Sequence, residues 1–138
     1  MCLSVAESRP QAVLGRGTHA GFEWNIVHNE MGYRCGYVKV PPGHPWYGKD
    51  YDDIDADVHG GLTFAEPDTP CDKGGPDNGW WVGFDCAHLH DAPDPELPNP
   101  SGHLMLGRGG VVRDQAYVIE QCKSLCEQAE KTKGQTDG

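Results

Sequence analysis

Phe22-Glu23-Trp24-Asn25-Ile26-Val27-His28 alternates apolar and polar side chains, the period of a half-buried strand. Asn29-Glu30-Met31-Gly32 follows as a turn signal, and Tyr33-Arg34-Cys35-Gly36-Tyr37-Val38-Lys39-Val40 resumes the same period until Pro41-Pro42-Gly43 stops it. The pair reads as a β-hairpin, and the rest of the fold is read outward from it. Val58–Phe64 and Trp80–Cys86 are two further stretches of strand character. Between them, Glu66 to Gly79 is a Pro/Gly/Asp loop, and residues 91–102 form a proline-rich surface loop. Asp114 suits a helix N-cap. After it Val118, Cys122, Leu125 and Ala129 fall at helical spacing, so a helix to about Lys131 lays one apolar stripe on the sheet. The expectation is a single α+β domain over residues 21–132. Its sheet is twisted and mainly antiparallel, of about four to six strands, with the C-terminal helix packed on one face. Residues 1–20 carry no firm period and read as a variable segment; residues 133–138 read as a disordered tail.

The composition narrows the function. The chain has 138 residues, enough for one domain with one modest core. Its net charge of −10 disfavours duplex nucleic acid, whose phosphates need a basic surface. A small anionic ligand stays open, because a few local cations override the global field. The 19 glycines and 11 prolines imply much turn and loop, while four Trp and five Tyr supply an ordered core. No basic-then-apolar leader opens the chain, and no apolar run reaches spanning length. The expectation is therefore a soluble, cytosolic protein with no membrane contact, whose six cysteines are thiols. Cys122 and Cys126 stand one helical turn apart, as small buried residues do. Self-association into a homo-oligomer is compatible with the sequence.

Strand alternation sorts the chemistry by face. In Val58–Phe64, the side chains of Val58, Leu62 and Phe64 would share one face, and His59, Gly61 and Thr63 the other. In Trp80–Cys86, Trp80, Val82, Phe84 and Cys86 would pack under the helix, leaving Trp81, Gly83 and Asp85 opposite. The second faces together would carry His59, Thr63, Asp85 and Trp81 over a floor of Gly61 and Gly83, glycine being common where a ligand approaches closely. His88 could reach this pocket from the loop beyond. His59 is either a general base or metal ligand, or a hydrogen-bonded structural histidine; Asp85 is the expected orienting partner in both cases. His90 reads as an exposed bystander.

A metal site would use His59, Asp85, His88 and Asp91, a set suited to zinc or manganese, although no HExxH or CxxC spacing supports it. The metal-free alternative pairs His59 and His88 as acid and base. Asp53-Ile54-Asp55-Ala56-Asp57 opens like a calcium loop, but Val58 and Phe64 stand where such a loop needs glycine and glutamate, which rules it out. In the aromatic, aspartate-rich loop 43–57, Trp46, Tyr47 and Tyr51 could cover a flat base or simply pack beneath the loop. Arg34 and Lys49 are the cations best placed to meet a phosphate.

His44-Pro45-Trp46-Tyr47-Gly48-Lys49-Asp50-Tyr51-Asp52-Asp53, Val58-His59-Gly60-Gly61-Leu62-Thr63 and Trp81-Val82-Gly83-Phe84-Asp85-Cys86-Ala87-His88 together resemble a family of small bacteriophage and prophage proteins. The resemblance runs over roughly residues 33–130 and takes in the helix beginning near Tyr117. In that family a glycine is usual where this chain has His90, which argues against an essential His90. The resemblance implies expression in the cytoplasm of an infected bacterial cell and, by analogy alone, a counter-defence role. The leading expectation is hydrolysis of a small phosphate-containing nucleotide, such as a cyclic nucleotide that serves as a host immune signal. His59 and His88 would move protons or hold a metal, Asp85 would orient a histidine and Thr63 would bind an oxygen. The alternatives are sequestration of such a nucleotide without chemistry, and an acidic inhibitor that engages a basic host protein.

Overall fold

A computed structural model describes residues 13–28, 32–67, 79–86, 91–92 and 111–134. Five strands form one antiparallel sheet: β1 (Val13–His19), β2 (Phe22–His28), β3 (Arg34–Val40), β4 (Phe64–Pro67) and β5 (Trp80–Asp85), in the spatial order β1-β2-β3-β5-β4. A two-residue parallel pairing joins β6 (Asp91–Ala92) to β7 (Val111–Val112) just before the C-terminal helix α1 (Gln115–Gly134). The α+β architecture is the one the hydrophobic periods imply, with α1 running past Lys131 to Gly134.

The period-2 alternation becomes a two-faced sheet. Cross-strand partners Trp24↔Val38 and Val38↔Val82 put one apolar row across β2, β3 and β5. Phe22, Trp24, Ile26, Val40, Phe84 and Cys86 extend it, and Val118, Cys122, Leu125, Cys126 and Ala129 of α1 close over it. These helix positions recur every three or four residues, so one stripe meets the sheet. Each fully buried Val, Leu or Phe contributes about 1.5–3 kcal/mol of transfer free energy. Asp114 caps the helix: its Oδ1 accepts the Tyr117 N–H at 2.9 Å. On the opposite face Val27 and Cys35 make a second, smaller cluster with Val13 and Tyr37 against it.

Two elements differ from the sequence reading. Val13–His19 is a full strand inside a segment without visible period. Its glycines are required by packing: a Cβ at Gly17 would lie 2.8 Å from the Trp24 ring. A register shift between Val13 and Gly15 breaks the alternation as well. Conversely, Val58–Phe64 is not a strand. Gly61 N–H bonds Val58 C=O at 2.9 Å, Gly60 and Gly61 have φ of 69° and 83°, and regular pairing begins only at Phe64. The even spacing of Val58, Leu62 and Phe64 imitates a strand, but consecutive left-handed glycines make a turn. Among the described residues, no helix is long and apolar enough to cross a membrane.

Candidate functional site

His59 stands at the corner of this turn, and the turn lies along α1 rather than along β5. Three helix side chains one or two turns apart hold it. Gln121 Oε1 accepts the His59 backbone N–H at 2.9 Å. Gln128 accepts the Asp57 N–H at 2.7 Å through Oε1 and donates to the Asp57 carbonyl at 2.8 Å through Nε2. Tyr117 Oη lies 2.7 Å from His59 Nδ1, with the two rings edge to face. The Arg113 guanidinium lies over the Tyr117 ring, 5.1 Å from its centroid. His59, Tyr117 and Arg113 are all half-buried.

Arg113 is itself positioned from below. The buried Arg34 donates from Nη1 to the Arg113 carbonyl at 3.0 Å and from Nε to Gln115 Oε1 at 3.2 Å. Gln115 in turn donates to the Leu14 carbonyl at 3.0 Å. Arg34 therefore ties the helix start to β1 and β3, in place of the phosphate contact its charge suggested.

The remaining expected site residues divide as follows. Asp85 alternates with Val82 and Phe84 on β5 and so lies on the face away from α1, where its Oδ2 accepts a long 3.4 Å bond from Thr63 Oγ1. Thr63 also donates its N–H to the Gly83 carbonyl at 2.8 Å. The shared strand face that was to unite His59 with Asp85 does not exist, and the group on His59 Nδ1 is Tyr117. Gly83 does mark a close approach, but by protein: a Cβ there would lie 2.5 Å from the Tyr37 ring and 2.8 Å from the Gly36 carbonyl oxygen. Gly61 has open space at its Cβ position, and its left-handed φ of 83° serves the turn.

Trp81 and Trp46 are each 3% exposed, so neither is a stacking platform. Lys39 covers the Trp81 ring at 5.7 Å while pairing with Glu23 at 2.8 Å. Tyr47 packs tilted against Trp80, whose indole N–H bonds the Lys49 carbonyl at 3.0 Å; the Lys49 side chain is exposed. His88, His90 and the side chain of Asp91 lie outside the described residues, as do Cys2, Cys71 and residues 1–12, 68–78, 93–110 and 135–138. The expected metal set is thus represented only by His59 and Asp85. Among the described residues, three potential ligand atoms come within 4.8 Å of one another only at the exposed Asp50, Asp52 and Asp53.

The sequence reading passed over His44, Tyr117, Gln121 and Gln128. His44 is buried: its Nδ1 accepts the Trp46 N–H at 3.0 Å, which leaves the proton on Nε2 to donate to the Ala129 carbonyl at 2.9 Å. It is a structural clamp between the aromatic loop and α1. The helix residues leave no local signal in the sequence, because their partners lie 58 to 71 positions away. Cys35, Cys86, Cys122 and Cys126 are buried. Comparison with known proteins finds no matching family model, curated protein or solved structure.

Proposed function

We propose that the protein captures a small phosphate-containing nucleotide, with His59, Tyr117 and Arg113 contacting its phosphate. The observation that carries this reading is the 2.7 Å His59–Tyr117 contact beside the Arg113 guanidinium. It supplies a fixed cation and two hydrogen-bonding groups at one half-buried corner of a chain whose net charge is −10. Guanidinium and imidazole are suited to phosphate oxygens, and partial burial strengthens both. The setting, counter-defence in an infected bacterial cytoplasm, rests on the resemblance to phage and prophage proteins.

Hydrolysis is the second reading, and the same hydrogen bond favours it. A histidine with one ring nitrogen engaged presents the other in a defined state. With both ring nitrogens protonated, Nδ1–H donates to Tyr117 and Nε2–H can protonate a leaving oxygen, which leaves a neutral imidazole. In that neutral ring, with Nδ1–H donating to Tyr117, Nε2 can take a proton from water. Either role makes His59 the acid–base group without requiring Asp85 as its orienter.

The test is a panel of linear and cyclic nucleotides incubated with pure protein, with and without chelator, and followed by chromatography. Depletion with recovery of intact ligand on denaturation supports capture. A converted product supports hydrolysis. A panel recovered unchanged and unbound ends both readings.

A further inference from the structure

The segment 57–59 is fastened to α1 in an unusual way. It lies antiparallel to the helix, and its backbone polar groups are met by side-chain amides: Asp57 N–H and C=O by Gln128, and His59 N–H by Gln121. Tyr117, Gln121, Ser124 and Gln128 recur at spacings of three and four, so they form one polar stripe beside the apolar one. Ser124 braces the clamp, its Oγ accepting from Gln128 Nε2 at 3.2 Å. Val58, between the two clamped residues, is buried in the core. Beyond His59 the chain enters the left-handed Gly60 and Gly61, which give the turn little stiffness of its own.

We propose that Gln121 and Gln128 are positioning residues, which fix the backbone of Asp57 and His59 so that the His59 imidazole meets Tyr117 Oη. Val58 burial fixes depth, but it leaves rotation of the segment about its own axis. The two amides remove that rotation by holding N–H groups on both sides of Val58. This inference rests on the phosphate-site reading for its importance to function, and not for its geometry.

The donor and acceptor requirements differ, and that makes the assignment testable. Gln121 serves only as an acceptor to His59, so a carboxylate can replace its amide. Gln128 both accepts and donates, so a carboxylate keeps one bond and sets a negative oxygen against the Asp57 carbonyl. The experiment is nitrogen-15 NMR of the histidine rings in the full chain, with His59 assigned by its loss in His59→Gln. It compares wild type with Gln121→Ala, Gln121→Glu, Gln128→Ala and Gln128→Glu, each checked for native circular dichroism. His59 Nδ1 should show a hydrogen-bonded shift in wild type and in Gln121→Glu. In Gln121→Ala, Gln128→Ala and Gln128→Glu it should move towards the values of a free imidazole. Unchanged His59 shifts in folded Ala variants overturn the proposal, as does a Gln128→Glu spectrum like wild type. Should the Ala variants not fold, the contrast between the two Glu variants decides.

Inorganic phosphate titrated into the same samples separates the two claims. Wild type should bind it, and the misaligned variants roughly 2- to 12-fold more weakly, the worth of about one net hydrogen bond. Wild type that ignores phosphate while its variants shift His59 sinks the functional reading and leaves the positioning intact.

Discussion

Tyr117 Oη lies 2.7 Å from His59 Nδ1, while the backbone N–H of the same tyrosine is held by Asp114 Oδ1 at 2.9 Å. The first turn of α1 thus caps itself and carries the candidate site at once. The two roles use different atoms, so they can be separated. Tyr117→Phe keeps the cap and the ring under Arg113 and removes only the hydroxyl. The loss of one net hydrogen bond is worth about 0.5–1.5 kcal/mol. Stability should fall by no more than that, while nucleotide or phosphate affinity falls roughly 2- to 12-fold. Calorimetric titration of both proteins measures it, and equal affinity would remove Tyr117 from the site.

His44 makes the opposite kind of claim, stability without function. Its ring joins the Trp46 N–H to the Ala129 carbonyl in a buried place, with Phe22 and Trp46 edge to face on either side. His44→Phe keeps the aromatic volume and leaves a donor and an acceptor without their partner. Each buried unsatisfied group costs about 1–3 kcal/mol. The urea midpoint should fall accordingly, with ligand affinity per folded molecule unchanged. A midpoint within error of wild type would mean that water or a rearranged loop meets both groups.

Where one period governed a segment, the sequence was readable. β2, β3, β5 and α1 all announce themselves, and the face assignment of Val82, Phe84 and Cys86 holds because each is packed under the helix as alternation requires. β1 was hidden because Gly15 and Gly17 make room for Gln115 and Trp24, and glycine carries no strand signal. Val58–Phe64 misled in the other direction: three apolar residues at even offsets spoke for a strand, and two glycines outvoted them. The site was less legible still. Once His59 left the strand, its neighbours came from a helix at the far end of the chain, and no local pattern links His59 to Tyr117 or Gln121.

The two glycines assigned to a pocket floor now predict different outcomes. At Gly83 a Cβ would meet the Tyr37 ring at 2.5 Å and the Gly36 carbonyl at 2.8 Å, and backbone cannot step aside as a side-chain tip can. Gly83→Val should therefore destabilise by roughly 1–3 kcal/mol or more through overpacking, instead of blocking a ligand in an intact fold. At Gly61 space is open, but φ is 83°. Gly61→Ala should cost only about 1–2 kcal/mol, the price of a left-handed alanine. Tyr37→Ala should rescue Gly83→Val in part, since the Gly36 oxygen remains, and should leave Gly61→Ala unaffected. Chemical denaturation of the single and double variants tests this. A Gly83→Val protein as stable as wild type would refute the close packing.

The paired thiols of α1 predict how stability responds to alkali. Burial, then the neighbouring Glu127 carboxylate, pushes the Cys126 thiol from its ordinary 9.0 up to about 12. Burial, then Cys126, pushes Cys122 up as well. A thiol with a raised folded value keeps its proton in the native state after the unfolded chain has lost it. Below pH 9 both states are protonated and stability is flat with respect to these groups. Between pH 9 and about 12 the native state binds more protons than the unfolded state, so stability falls as pH rises, by at most about 1.4 kcal/mol per pH unit for each thiol. Cys126→Ala deletes one contribution. Its starting stability should be lower, because a buried sulfur is lost, but its decline between pH 9 and 10.5 should be shallower than that of wild type. The difference in slope reports Cys126 together with its part in raising Cys122. Urea midpoints at half-unit pH intervals supply the measurement. Parallel declines would show that Cys126 ionises in the native protein about as easily as in the unfolded chain, and that the helix–sheet interface around it admits water.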